Sequence, residues 1–204
     1  MISVITNIEL VKFVEKKIGI AYVYGMKGET MSLAKYNSLR SMYGNMVWAS
    51  DRNKIGKVCV DCSGLISWAT GRQRGSSQYK EKAEKVHPIS TISEAPVGAA
   101  VWKQGHIGVY IGNGEYIAAD GSAYGVRKNK LSKADFTHWF EICDVQYVED
   151  NEIVENSKII INGKEVSVRR ILKDGTNYIA IRDIADAVGY NVSNKGNIAV
   201  LNKK

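Results

Sequence analysis

The amino-acid sequence predicts an α+β fold, in which helices pack against an antiparallel sheet. A short apolar run with helical character begins at Cys62, and several strand-like runs joined by tight turns follow between residues 99 and 120. Elements that are grouped in this way, with helices first and strands afterwards, are typical of the α+β class. The 204 residues, of which 45 % are apolar and 24 % charged, suffice for one domain of ordinary size and a small second module.

Two helices are predicted before the central one. Apolar residues recur at close to helical spacing over residues 3–18, and Gly19 is a typical helix stop. A short aromatic segment follows over residues 20–29. The polar stretch after that segment is expected to hold a second helix over residues 31–43.

The central helix is marked at both of its ends. Asp61 is a residue type that commonly caps helix N-termini, and Gly71 is typical of the position after the last helical turn. The sequence therefore predicts a helix that begins at Cys62 and ends before Gly71.

The residues after the central helix predict a series of short antiparallel strands. His87-Pro88 is interpreted as a turn, and strands are predicted over residues 99–102, 106–112 and 115–120. Asn113-Gly114 is the strongest short hairpin signal in the chain, because both residue types readily adopt the positive φ angles of a two-residue turn. These strands would supply the sheet of the predicted fold.

The chain is predicted to contain a larger domain over residues 1–147, a linker over residues 148–157 and a small α+β module over residues 158–204. The linker is inferred from its composition, since it contains four acidic residues and no basic ones. Within the module the sequence predicts a tight hairpin around Asn162-Gly163, a turn over 173–177, a strand over 178–181, a helix over 182–188 and a last strand over 198–201.

The net charge of +7 indicates a surface that attracts polyanions. Residues 1–145 carry a net charge of +6 and residues 158–204 one of +5. Nucleic acid is not the expected partner, because Lys and Arg residues are not clustered in any stretch. Membrane insertion is not expected either, since no apolar run approaches the ~20 residues that span a bilayer.

The three cysteines, Cys59, Cys62 and Cys143, are too few for a disulfide framework in a chain of this length. Cys59 and Cys62 have the C-x-x-C spacing of zinc and redox sites, but a zinc site would need a second pair of ligands. A redox pair would need a preceding strand, and the apolar run there is short. We therefore expect no metal or other cofactor, and predict that Cys59 is buried. His87 and His138 are expected to be structural.

Cys62 and His106 are the candidate catalytic residues. A cysteine at a helix N-terminus that faces a strand-borne histidine has the arrangement of thiol hydrolases, in which the thiolate is the nucleophile. Ser63 and Gly64 keep the first helical turn small, so that a substrate carbonyl group could approach the sulfur. The backbone N–H of Cys62 could then hold the oxyanion. The alternative is a buried core cysteine and a histidine at a strand edge.

Three short segments carry a family resemblance. They are Ala21-Tyr22-Val23-Tyr24-Gly25, Asp61-Cys62-Ser63-Gly64-Leu65-Ile66 and His106-Ile107-Gly108-Val109-Tyr110-Ile111-Gly112-Asn113-Gly114. In residue types, order and spacing the chain resembles the NlpC/P60 family of bacterial cell-wall cysteine peptidases. The resemblance covers the domain from about residue 3 to residue 145.

The resemblance implies a papain-like fold and hydrolysis of an amide bond in the peptide stems of peptidoglycan. It also implies that Cys62 is the nucleophile, His106 the general base and Tyr22 a residue that positions the substrate or lines the oxyanion site. Members of this family usually place a polar residue, often histidine, twelve positions after the catalytic histidine, where Ala118 stands in this chain. Asp120, one pleat further along the same strand face, is the candidate to orient the imidazole. The alternative is that no side chain does so.

Residues 158–204 resemble the small repeat found at the N-terminus of copper amine oxidases and in many clostridial surface proteins. The matching residues run from Ile161 to Lys164 and from Asp174 to Ala185. Copper binding is not expected, because residues 158–204 contain no histidine, cysteine or methionine. The resemblance implies binding to the cell wall. The alternatives are homodimer formation through this module and a purely structural appendage.

The sequence as a whole predicts a wall-degrading cysteine hydrolase of the phage endolysin type. Its partners would be bacterial peptidoglycan and anionic wall polymers, and the cleaved bond a γ-D-glutamyl–diaminopimelate amide. The alternatives are an N-acetylmuramoyl-L-alanine amidase, an acyl-transfer enzyme and a catalytically silent wall-binding protein. Residues 1–13 lack the features of a secretory signal. We therefore expect synthesis in the host cytoplasm and release to the wall by a holin.

Overall fold

The computed structural model describes residues 4–148, 155–173, 176–196 and 198–204. Contacts divide the chain into two compact units, Met1–Val148 and Glu149–Lys204. Of the predicted linker, residues 149–154 lie outside the described residues, and a strand of the second unit already begins at Glu155. Regular structure in the second unit thus begins three residues earlier than the sequence predicts.

Four helices lie in the described part of the first unit, and the first of them is capped by Thr6. The Thr6 hydroxyl accepts a hydrogen bond from the N–H of Glu9, and the Glu9 carboxylate accepts one from the N–H of Thr6. Because of this capping box the helix begins at Asn7, later than predicted. The helices are α1 (Asn7–Glu15), α2 (Leu33–Tyr43), α3 (Cys62–Thr70) and α4 (Ser76–Glu81).

The predicted helices over residues 31–43 and from Cys62 onward are confirmed. Helix α3 ends at Gly71, which adopts the left-handed conformation with φ +68°. Short 3₁₀ segments cover Gly44–Met46, Ala49–Lys54, Ile89–Glu94 and Leu131–Lys133. None of the helices that the structure describes is long and apolar enough to cross a membrane.

In the described part of the first unit, the strands form three sheets. They are β1 (Ile5–Thr6), β2 (Ala21–Tyr22), β3 (Lys27–Thr30), β4 (Val58–Val60), β5 (His87–Pro88), β6 (Ala100–Lys103), β7 (His106–Gly112), β8 (Glu115–Ala119), β9 (Val126–Lys130), β10 (His138–Phe140) and β11 (Val145–Gln146). The largest sheet has the order β5-β10-β6-β7-β8-β9 and is antiparallel throughout, as predicted. In the two small sheets, β1 runs parallel to β11 and β2 parallel to β4, and β3 pairs with β4.

The hairpin of β7 and β8 forms where the sequence predicts it. Asn113 and Gly114 connect the strands with φ angles of +51° and +71°, in the left-handed region that a two-residue turn of this kind needs. The turn sets the pairing of Gly112 with Glu115, and a register shift between Tyr110 and Gly112 sets that of the residues further from the turn.

The prediction of a turn at His87-Pro88 is wrong. These residues form β5, which lies at the edge of the large sheet and pairs only with β10 there. Proline is tolerated in an edge strand, because its missing N–H is not needed on the open side. The imidazole of His87 stacks on Trp139 of β10, with ring centroids 4.1 Å apart.

Helix α3 packs against α1, β3 and β7. Leu65 and Ile66 of this helix are buried in the main core. Gly64 permits a close approach to the backbone that leads into β3, since a Cβ atom at this position would lie 2.2 Å from the carbonyl oxygen of Met26. The first turn of α3 is thus held directly against the neighbouring small sheet.

The second unit has two small sheets and one helix in its described part. The elements are β12 (Glu155–Ile161), β13 (Lys164–Lys173), β14 (Thr176–Ile179), α5 (Ile181–Ala187), β15 (Tyr190–Lys195) and β16 (Ile198–Lys203). The predicted hairpin at Asn162-Gly163 is confirmed as the connection of β12 and β13. Strand β15 is an addition to the sequence prediction, and residues 174–175 of the predicted turn lie outside the described residues.

Most large apolar side chains of the second unit are half-buried where the structure describes them. Val168 and Ala185 are buried, whereas Ile160 and Ile198 are 74 % and 68 % exposed.

Replacing Gly64 by alanine is expected to lower the free energy of unfolding of the first unit by about 2 kcal/mol, because the new methyl group forces α3 away from the backbone beside it. Thermal unfolding followed by circular dichroism measures the change. Gly75→Ala is the matched control, since a Cβ atom there would meet only the Gln78 side chain, at 3.8 Å. Equal melting temperatures of the two variants would contradict the close contact.

Candidate active site

The carboxylate of Asp61 fixes the start of α3, where Cys62 is the first helical residue. Its Oδ1 atom accepts hydrogen bonds from the N–H of Gly64 at 2.5 Å and from the hydroxyl of Ser63 at 3.0 Å. Its Oδ2 atom accepts one from the N–H of Gly25 at 2.8 Å. The same carboxylate thus caps the helix, as predicted, and ties it to the turn after β2.

The thiol of Cys62 lies at the N-terminal end of α3, and 7 % of the residue is exposed. The first N–H groups of a helix have no partner within the helix, and together with the helix dipole they favour negative charge at this end. The fold therefore places the sulfur where nucleophilic chemistry is favoured.

His106 begins β7 and lies near Cys62 and beside Asp120. Its Nε2 atom lies 3.0 Å from Oδ1 of Asp120, and Cys62 is close enough to raise the pKa of the imidazole. The ring of Phe136 stacks on the imidazole, with centroids 5.6 Å apart and planes 11° from parallel. The imidazole is thus fixed by contacts at its edge and on its face.

The pKa of His106 is about 9, well above that of a free imidazole. Burial lowers this pKa, but hydrogen bonds to Asp120 and Cys62 and the negative charges of these two groups outweigh the effect of burial. The imidazolium is therefore the stable form at neutral pH, as a thiolate–imidazolium pair requires.

Two residues of β9 hold the carboxylate of Asp120. Its Oδ2 atom accepts hydrogen bonds from Nε of Arg127 at 2.7 Å and from Nδ2 of Asn129 at 2.6 Å. Burial raises the pKa of Asp120, but hydrogen bonds from His106 and Arg127 and their positive charges bring it below its usual value. Asp120 therefore stays ionised beside the imidazolium.

The register of β7 and β8 explains why Asp120, and not Ala118, meets the imidazole of His106. The antiparallel pairing of the two strands, extended toward their open end, places Gly108 opposite Ala118 and His106 opposite Asp120. A Cβ atom on Gly108 would lie 3.1 Å from the Cβ atom of Ala118. Ala118 is accordingly a buried packing residue, one pleat away from the site.

Tyr22 ends β2, which runs parallel to β4, the strand that leads into α3. Burial raises the pKa of Tyr22 far above its usual range, and the nearby charges of Cys62 and Asp61 raise it further. The phenol therefore stays protonated and can donate a hydrogen bond in the neighbourhood of Cys62. The structure thus brings together Tyr22, Cys62, His106 and Asp120.

Cys59 is buried, as predicted, and lies outside this site. The strand at this point, β4, is only three residues long and contains Cys59 itself. Cys59 packs in an apolar cluster with Val23 and Met26, whereas Cys62 belongs to the main core, and both cysteines are free. Burial raises the pKa of the Cys59 thiol. Within the ranges that the structure describes, no group of three or more His, Cys, Asp or Glu residues is placed to hold a metal ion.

His87 and His138 also lie outside the site, on β5 and β10. His138 lies beside Trp102, with ring centroids 5.9 Å apart, and its Nδ1 atom is 2.8 Å from the hydroxyl of Thr137. These contacts are those of structural histidines.

The sequence interpretation missed the partners of Asp120. Arg127 and Asn129 alternate along β9 and therefore share one face of the sheet, a strand pattern that is visible in the sequence. Phe136 has no comparable local signal, because it follows a 3₁₀ segment and reaches His106 only in the folded chain.

Helices packed on an antiparallel sheet, with a thiol at a helix N-terminus beside an imidazole and a carboxylate, define a papain-like protein. Residues 22–143 match the model of the NlpC/P60 family. Because this match covers more than half of the chain, the protein belongs to the NlpC/P60 family. A comparison with curated proteins finds no match.

Solved structures that align with this chain include NlpC1 from Trichomonas vaginalis, with 20 % sequence identity and a TM-score of 0.46. The alignment covers 70 % of this chain and 46 % of that chain. The P60 domain of an antigen from M. avium subspecies paratuberculosis has 22 % identity and a TM-score of 0.46, and the alignment covers 67 % of this chain and 93 % of that domain. The peptidoglycan hydrolase RipB from Mycobacterium tuberculosis has 25 % identity and a TM-score of 0.46, and the alignment covers 69 % of this chain and 65 % of that chain. The chain thus spans less than half the length of the Trichomonas protein.

The raised pKa of His106 links folding stability to pH. This pKa rises on folding from about 6.5 to about 9. The protonated imidazole therefore stabilises the folded state fully below pH ~6.5, and this contribution is lost as the pH rises through ~9. We expect the melting temperature to fall over this interval, and to fall less in His106→Gln, which lacks the titrating imidazole. Thermal unfolding in a series of buffers measures both curves. Parallel curves for the two proteins would contradict the raised pKa.

Proposed function

We propose that the protein is a peptidoglycan hydrolase with Cys62 as nucleophile and His106 as general base and acid. Asp120 would orient the imidazole, and Tyr22 would donate a hydrogen bond to the oxyanion. The observation that carries this proposal is the grouping of Cys62, at the N-terminus of α3, with His106 and the Asp120 carboxylate that is hydrogen-bonded to it, in a protein of the NlpC/P60 family.

The reaction would proceed in two steps. The Cys62 thiolate attacks the carbonyl carbon of an amide bond, and the oxyanion is held by the N–H of Cys62 and the hydroxyl of Tyr22. The His106 imidazolium gives its proton to the leaving amine as the C–N bond breaks, which leaves a thioester on Cys62. Neutral His106 then takes a proton from a water molecule, whose oxygen attacks the thioester carbonyl carbon; the C–S bond breaks, which releases a carboxylic acid and returns the Cys62 thiolate and the His106 imidazolium.

The substrate bond that we propose is the γ-D-glutamyl–diaminopimelate amide of the peptide stem, and the second candidate is the bond cut by an N-acetylmuramoyl-L-alanine amidase. A cleft of about 320 Å³ is lined by Asp61 and Ser63, the two neighbours of Cys62 in the chain. Lys27 and Arg74 also line it, and they pair there with the carboxylates of Asp61 and Asp144. The choice between the two bonds therefore rests on the family, and the product analysis below decides it.

We further propose that residues 158–204 bind the cell wall. Their net charge of +5 suits anionic wall polymers, and their exposed apolar side chains offer a contact surface for a wall component or for a second copy of the chain. A catalytic domain over 1–147, a linker that ends before β12 and a binding module would together form an endolysin of phage type that acts in the wall after holin-dependent release. Binding by the module would raise the enzyme concentration at its substrate.

The purified protein is expected to release soluble fragments from diaminopimelate-containing peptidoglycan, and Cys62→Ala to release none. Cys143→Ala, which removes an exposed thiol outside the site, is the matched control and should keep full activity. Mass spectrometry of the products identifies the bond, because an endopeptidase frees the amine of diaminopimelate and an amidase that of L-alanine.

Further outcomes of this experiment separate the other functions. Products joined to an added amine would indicate acyl transfer, and an absence of fragments with every wall type would favour a silent wall-binding protein. The Cys62→Ala protein should still sediment with intact walls. If it sediments equally with walls stripped of anionic polymers, the role proposed for those polymers is refuted.

Asp120→Ala is expected to lower kcat/KM by about 100-fold, because the imidazolium loses the group that orients and stabilises it. The alkaline limb of the pH profile should also move to lower pH, since the pKa of His106 falls without the carboxylate. Asp135→Ala is the control, because Asp135 is an exposed carboxylate that is paired with Lys103 and lines the same pocket as His106 and Asp120. If both variants behave alike, the role proposed for Asp120 is wrong.

A further inference from the structure

We propose that Lys54 is a positioning residue, which together with Asp51 holds Tyr22 and the loop after Asp120 at a fixed separation. The proposal rests on the catalytic roles given above to Tyr22 and Asp120. Lys54 itself ends the 3₁₀ segment Ala49–Lys54, between α2 and β4, and is distant along the chain from Asp120.

The ammonium group of Lys54 makes three short hydrogen bonds. It donates to the backbone carbonyl of Tyr22 at 2.6 Å, to Oδ1 of Asp51 at 2.6 Å and to the backbone carbonyl of Ser122 at 2.8 Å. An ammonium group has three N–H donors, so that all of them are used. Lys54 therefore joins three separate segments at one point.

Asp51 completes the connection from the other side. Its side chain is fully buried, and its Oδ2 atom accepts hydrogen bonds from the N–H of Trp48 at 2.8 Å and from the hydroxyl of Ser122 at 3.0 Å. Ser122 is thus held twice, through its carbonyl by Lys54 and through its hydroxyl by Asp51. Both ends of the ion pair act on the same loop residue.

The two carbonyl groups that Lys54 binds belong to the segments that carry site residues. The first belongs to Tyr22 itself, on β2. The second belongs to Ser122, two residues after Asp120, in a loop closed by hydrogen bonds from the N–H of Asp120 to the carbonyl of Gly125 and from the N–H of Tyr124 to the carbonyl of Gly121. Fixing Ser122 in so short a closed loop also fixes Asp120.

A contribution to the free energy of unfolding does not by itself explain why Lys54 and Asp51 form a buried ion pair. The side chains of Lys54 and Asp51 are 16 % and 0 % exposed, and a buried ion pair is often no more stabilising than apolar residues of the same size. A fixed distance between the oxyanion donor and the group that orients the imidazole supplies a reason, because a displacement of about 1 Å in such a site can cost about 100-fold in rate.

The test compares Lys54→Met with the double variant Lys54→Met/Asp51→Asn. The single variant leaves a buried carboxylate without its cation and should lose stability. The double variant removes both charges, so that its melting temperature should return most of the way to that of the native protein. Neither variant can hold the carbonyls of Tyr22 and Ser122 through an ammonium group.

The main measurement is the rate of alkylation of Cys62 by iodoacetamide against pH, read by mass spectrometry. We expect both variants to react about tenfold more slowly than the native protein near pH 6.5, because a displaced Asp120 stabilises the thiolate–imidazolium pair less. Cys143 is exposed and serves as the reference thiol in the same molecule, with an unchanged rate. Val14→Ala, which removes fully buried side-chain atoms from α1, controls for lost stability alone.

The double variant decides the outcome. If it regains stability and also alkylates at the native rate across the pH range, the ion pair is only structural and the proposal is overturned. If it regains stability and stays slow, and kcat on peptidoglycan falls while KM changes little, the positioning role is supported. Alkylation needs no wall substrate, so a protein that cuts no peptidoglycan would refute the proposed function without affecting this result.

Discussion

The carboxylate of Asp61 is the constraint on which the geometry of the site depends. It accepts the N–H of Gly64 on one oxygen and the N–H of Gly25 on the other, so that the first turn of α3 and the turn after β2 share one anchor. In the chain, Cys62 lies between Asp61 and Gly64, and Tyr22 lies shortly before Gly25. The position of the nucleophile and that of the nearby phenol are therefore set by the same group.

The second constraint is the register of the large sheet. The hairpin at Asn113-Gly114 and the register shift between Tyr110 and Gly112 together determine which residues of β7 and β8 face each other, and this places His106 opposite Asp120. A slip by one residue would turn every side chain of one strand to the other face of the sheet. The carboxylate would then lie away from the imidazole, although no residue of the site had changed.

The sequence predicts what local signals encode. The cap at Asp61, the stop at Gly71 and the turn at Asn113-Gly114 each act within a few residues, and all three occur as predicted. The edge strand at His87-Pro88 was misread because its pairing partner, β10, lies about fifty residues further along the chain. The contacts of Lys54 with Ser122 could not be predicted, since they join segments that only the tertiary structure brings together.

The charged residues that hold Asp120 and the loop after it differ in their solvent exposure. The Arg127 side chain is 41 % exposed and lies over the ring of Tyr124, whereas Lys54 and Asp51 are shielded from water. Mobile ions screen charges at the surface far more than charges in the interior. Ionic strength therefore acts unequally on the two anchors of the loop: added salt weakens the hold of Arg127 on Asp120 and leaves that of Lys54 on Ser122 largely intact.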